Sequence, residues 1–140
     1  MAQTRAGSGN KRDNSTNLKT VISNFTCDTF DIVIFGYFGH GARSTEDKSE
    51  FPQMCLGSNS PANFVPLEDV ADALRRKGAA FVFVMGDCCN SYAGIGAKRG
   101  ILAAGGPTVL TSDNALVIRK LFGAKGSVIA SGSQKGEYSW

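Results

Sequence analysis

The apolar positions of this chain follow two alternating rhythms. Leu18, Val21, Ile22 and Phe25 recur at i, i+3, i+4 and i+7 behind Ser15 or Thr16 as caps, which is the spacing of a helix with one apolar face. From Asp31 the texture changes to an unbroken run, Ile32-Val33-Ile34-Phe35-Gly36-Tyr37-Phe38, that ends at Gly39-His40-Gly41. A β-rich run of this length predicts a strand covered on both faces, as in a parallel sheet flanked by helices. Residues 42–63 are polar and irregular, and within them Phe51 to Leu56 reads as an edge strand or hairpin arm. A second helix is predicted over 66–77. Pro66 fits its first position, Glu68 and Asp69 its positive end, Leu67, Val70, Ala71 and Leu74 its apolar stripe, and Gly78 its stop. A second buried strand, Ala80 to Met85, runs into Gly86-Asp87-Cys88-Cys89-Asn90. A glycine-rich loop over 92–107, a helix capped by Ser112 with Leu116, Ile118, Leu121 and Phe122 apolar, and a last strand, Ser127 to Ser131, complete the pattern.

Helix and strand in alternation predict an α/β domain with a mostly parallel sheet and helices on its faces. It spans 16–140, behind a polar lead-in over 1–15 with almost nothing to bury, which is read as disordered. In open sheets of this kind ligands bind beyond the carboxyl ends of the strands. The single histidine and two of the four cysteines lie at two such ends.

Charge and composition narrow the function classes. A formal charge of +3 with scattered basic residues gives no nucleic-acid stripe. No apolar run reaches the roughly 18 residues of a membrane span, and no apolar h-region follows the N-terminal charges. Four cysteines, two of them adjacent, fit a reduced cytoplasmic setting better than a disulfide framework. One histidine and no CxxC pair give no metal site, and no cofactor is implied.

The chemistry available at the strand ends is that of a thiol and an imidazole. An imidazole near a cysteine can take the thiol proton and later protonate a leaving amine. His40 is the only residue able to do so, and it precedes Cys89 by 49 positions. The backbone N–H groups of Gly41 and Cys89 are candidate oxyanion donors. Adjacent residues at a strand end point in opposite directions, so one of Cys88 and Cys89 can face the site while the other packs as a small apolar group. Cys27 and Cys55 read as ordinary thiols, and Arg43 as a solvated loop residue in preference to a ligand for an acidic substrate group. A nucleophile elbow at Gly86-x-Cys88-x-Asn90 would need a histidine after the nucleophile, and none follows. Gly94-Ile95-Gly96 lacks the following helix that a phosphate loop needs.

The segment Phe35-Gly36-Tyr37-Phe38-Gly39-His40-Gly41 resembles the histidine strand and motif of the caspase and metacaspase superfamily. Phe83-Val84-Met85-Gly86-Asp87-Cys88-Cys89-Asn90-Ser91 is similar to its cysteine motif, and Ser127 to Trp140 to the strand and loop that follow. The resemblance covers about 16–140. It implies a three-layer α/β/α sandwich and a cysteine endopeptidase that acts on peptide or protein substrates. In that reading Cys89 is the nucleophile, His40 the general acid/base, and Asp87 the carboxylate that selects cleavage after Arg or Lys. Asn90 stands where metacaspases usually carry histidine, and there is no acidic cluster like the calcium site of some of them. The resemblance also implies a core shortened at both ends, which would seek a second copy or a complementary segment along its sheet edges. The alternative expectation is a catalytically inactive interaction module or truncated fragment that retains the motifs.

Overall fold

The structure is a computed structural model and describes residues 14–57, 61–92, 116, 119–120 and 123–137. Helix α1 (Asn14–Asn24) turns Ile22 into the core, with Leu18 and Phe25 packed beside it. Val21, counted in the predicted stripe, is exposed. Asn14 and Ser15 are helical rather than part of the lead-in, and the Ser15 hydroxyl donates to the Ala62 carbonyl at 3.1 Å. Residues 1–13 lie outside the described residues.

Helix α2 (Leu67–Arg75) has its predicted stripe, Leu67, Val70, Ala71 and Leu74, fully inward. Pro66 stands just outside it, as the cap and the last residue of a strand. Gly78 ends the turn with φ +85, a conformation glycine adopts without steric cost. Strands β1 (Ile32–Phe38), β5 (Phe81–Asp87) and β6 (Gly126–Ser131) form a parallel sheet in the order β1-β5-β6. Between β1 and α2 the chain makes a small antiparallel sheet from β2 (Gly41–Ala42), β3 (Gln53–Cys55) and β4 (Phe64–Pro66), with a 3-10 turn at Pro61–Asn63. The arm expected over Phe51 to Leu56 is therefore β3, and it is the middle strand of this sheet rather than an edge.

The pleat of the parallel sheet divides its residues into two faces. Val33 of β1 and Val82 and Val84 of β5 point inward, under α2, with Phe35, Tyr37 and Ile129 packed against the same cluster. Met54, Val65 and Ile22 close it from the small sheet and α1. Each such buried aliphatic side chain contributes about 1.5–3 kcal/mol of apolar transfer. The opposite, outer face of β1 carries Ile32, Ile34 and Phe38, and Ile34 and Phe38 are 55% and 69% exposed. The expectation that β1 is covered on both faces is thus corrected. Both described helices pack on the inner face, through α1–α2 and α2–β5 contacts, and leave this apolar row uncovered. Of the helix read from Ser112, Leu116, Arg119 and Lys120 are helical, and the rest lies outside the described residues, as does the loop over 93–107. No described helix is long and apolar enough to cross a membrane.

Candidate active site

Strands β1 and β5 are parallel neighbours, so their carboxyl ends share one rim of the sheet. Their register is constant. Ile32 pairs with Phe81 and Phe38 with Asp87, an offset of 49 positions. Past the strands Arg43 bridges Tyr92 at that same offset, again in parallel. His40 and Cys89 are also 49 positions apart, and each lies two residues past the last pair of the ladder, between it and the Arg43–Tyr92 bridge. Two bonds bracket these positions: the Gly39 N–H donates to the Asp87 carbonyl at 3.2 Å, and the Arg43 N–H to the Ser91 carbonyl at 2.9 Å. Successive residues of an extended segment point to opposite faces, which puts Asp87 and Cys89 on the face opposite Cys88, and His40 is exposed.

Burial follows this alternation. Along 82–90 every even position is buried and every odd position half-buried. Cys88 is 1% exposed, while Cys89 keeps access to solvent. Burial, aided by the neighbouring charges of Cys89 and Asp87, pushes the Cys88 thiol up to about 12. Cys88 is thus held as an inert thiol, whereas Cys89 is the accessible member of the pair.

The histidine's backbone is held from the inner side. The Tyr37 hydroxyl lies 2.8 Å from the carbonyls of both His40 and Cys55, and the Cys55 N–H donates to the same His40 carbonyl at 2.8 Å. Burial foremost, with Cys88 and Cys55 nearby, raises the Tyr37 phenol to about 12, so it stays a donor. Gly41 is packed directly against the cysteines. A Cβ there would lie 2.5 Å from the Cys89 carbonyl oxygen and 2.7 Å from the Cys88 sulfur. The N–H groups of Gly39 and Arg43 both face the β5 side, and an extended backbone turns the Gly41 N–H the same way.

The cysteine segment is tied on its far side to the loop after β6. The Ser133 hydroxyl donates to the Cys88 carbonyl at 2.7 Å, the Asn90 N–H to the Glu137 carbonyl at 2.8 Å, and the Gly136 N–H to the Asn90 carbonyl at 2.9 Å. Arg43, expected as a solvated loop residue, is instead 1% exposed. Its guanidinium reaches Asn90 Oδ1 at 3.1 Å, the Asp47 carbonyl at 3.1 Å and the Ser49 carbonyl, and it lies over the Tyr92 ring at 5.7 Å. The reason is parity. Positions 33, 35 and 37 face inward, and continuing by twos carries 43 to the same face. Ser133, Asn90 and Tyr37 are the other residues of this site to which sequence reasoning gave no role.

Among the described residues no group of three or more His, Cys, Asp or Glu side chains could hold a metal ion. A cavity of about 520 Å³ lies between α1 and α2, lined by Leu18, Ile22, Val65 and Val70 with Lys19 and Asp69. It belongs to the helix layer and contains neither His40 nor either cysteine of the rim. No family model matches the chain, and no curated protein matches it.

Proposed function

We propose that the chain is the core of a cysteine endopeptidase of the caspase and metacaspase type, with a three-layer α/β/α architecture. The observation that supports this best is the shared offset. The 49-residue interval between His40 and Cys89 equals the register offset of the parallel neighbours β1 and β5, and both residues follow the carboxyl ends of those strands, where open sheets of this kind bind ligands.

In the reaction His40 takes the Cys89 proton, and the sulfur attacks the peptide carbonyl carbon. The N–H groups of Gly41 and Cys89 receive the developing oxyanion. As the C–N bond breaks, the imidazolium returns its proton to the leaving amine and a thioester remains. Water, deprotonated by His40, releases the acid and the thiol. Asp87 shares the face of Cys89 two residues before it, about 7 Å along the strand. That distance matches an extended Arg or Lys side chain ahead of the cut, and the carboxylate favours such a cation over a neutral side chain.

The test combines covalent labelling with turnover. A peptidyl electrophile ending in Arg should label Cys89 stoichiometrically, and reporter peptides with Arg or Lys before the cut should be hydrolysed. Both signals should disappear in Cys89→Ala, and turnover should disappear in His40→Ala. A folded wild-type chain giving neither signal would instead mark a non-catalytic module that keeps the motifs.

A further inference from the structure

We infer that Arg43 and Asn90 are a pair of positioning residues that hold the two reactive segments in register from the inner face of the sheet; this role rests on the peptidase reading. Arg43 follows His40 by three residues, and Asn90 is the residue after Cys89. Both are buried, in the two segments that follow His40 and Cys89. They are 1% and 0% exposed, and the bond from Arg43 Nη1 to Asn90 Oδ1 joins the two segments side chain to side chain.

Each residue also fastens its neighbours. Arg43 Nη2 donates to the carbonyls of Asp47 and Ser49, which ties the loop after β2 to the buried guanidinium. Asn90 Nδ2 donates to the Glu50 carbonyl at 2.8 Å, and its backbone makes both bonds to the 136–137 turn. Asn90 therefore uses its side-chain oxygen, side-chain nitrogen, main-chain N–H and main-chain carbonyl, each toward a different residue. Among the described residues no carboxylate partners the guanidinium; it meets an amide, two carbonyls and the Tyr92 ring, and its Nε has no partner. Burying a cation in this way is costly, and an apolar residue would fill the same space without that cost. What an apolar residue would lack is directional links to two strand extensions and one loop. Those links set the distance and angle between imidazole and sulfur, to which attack is sensitive at the level of about 1 Å.

The role is tested with Asn90→Ala, Arg43→Lys and the double variant of the full chain. Turnover of an Arg reporter peptide is measured per Cys89 titrated by the peptidyl electrophile, beside circular dichroism for folding. Arg43→Lys keeps the charge and serves if Asn90→Ala fails to fold. The expected result is a fall in kcat of about 10- to 100-fold with KM within about threefold, because substrate binding is left and alignment is lost. The double variant should fall no further than about twofold below the worse single one, since both remove one link. Folded variants that keep the wild-type kcat, or losses that multiply in the double variant, overturn the pair. A wild-type chain without turnover or labelling removes the peptidase reading itself, and this role with it.

Discussion

Gly41 is the position where one added carbon would do most. An alanine Cβ there would stand 2.5 Å from the Cys89 carbonyl oxygen, 2.7 Å from the Cys88 sulfur and 3.0 Å from the Cys88 Cβ, where ordinary contact begins near 3.4 Å. None of the three can swing away. The oxygen is backbone, and Cys88 is buried with its carbonyl held by Ser133. Relief therefore has to come from parting the extensions of β1 and β5. That strains the bonds from the Gly39 N–H to Asp87 and from the Arg43 N–H to Ser91. Overpacking of this kind costs about 1–3 kcal/mol, and losing one of those bonds adds about 1 kcal/mol. The total of roughly 2–4 kcal/mol corresponds to a fall in Tm of about 6–15 °C for a chain of this size. Gly36→Ala is the control, because its Cβ would meet only the exposed Phe38 ring, at 3.2 Å, and a shift within about 1 kcal/mol of wild type is expected there. Thermal unfolding followed by circular dichroism reads both. A Gly41→Ala chain that melts within 2 °C or so of wild type would refute the close packing of the rim and the register drawn from it.

Two further outcomes follow from the same geometry. Cys88 and Tyr37 hold their protons more tightly folded, at about 12, than at their ordinary values of 9.0 and 10.0, so the folded chain binds more protons in that interval. Stability is then complete below pH 9 and falls as pH rises toward 12; urea midpoints measured between pH 8 and 11 should decline, and less steeply in Cys88→Ala and Tyr37→Phe, whereas equal slopes in all three chains would contradict the assignment. Iodoacetamide on the native chain, read by peptide mass spectrometry, should modify Cys89 and Cys27 well before the buried Cys55 and Cys88, which should react only on unfolding; early modification of Cys88 would mean that the rim is open where close packing is described.

Local pattern carried much of this molecule. The stripe of α2 is inward residue for residue, because its first-turn acids, last-turn base and apolar positions agree. Strand β5 was legible in kind but continues through Gly86 and Asp87, since pairing with β1 and β6 extends it past the apolar run. The outer face of β1 was misread because an unbroken apolar run signals double coverage on average, while coverage depends on which other elements arrive. Residue type and strand ends marked His40 and the Cys88–Cys89 pair, while the preference for Cys89 came from the resemblance of its motif. Arg43 and Asn90 were not, although a signal existed. Period two, continued beyond the last strand residue, puts an arginine at 43 and an asparagine at 90 in line with Tyr37 and Cys88 on the inner face. A polar residue in core parity is the mark to look for. What no local pattern could supply is the contact from Ser133 to Cys88, which spans 45 positions and depends on β6 docking beside β5.

That last contact bears on any attempt to move the His–Cys pair into another protein. The carbonyls of Cys88 and Asn90, on either side of Cys89, accept from Ser133 and Gly136, the Asn90 N–H donates to the Glu137 carbonyl, and the His40 carbonyl accepts from Tyr37 and Cys55. The smallest transplantable unit is therefore three stretches that are remote in the chain, roughly 37–55, 86–92 and 131–137. A graft carrying only the two short motifs would bring the imidazole and the thiol without the backbone bonds that hold their segments.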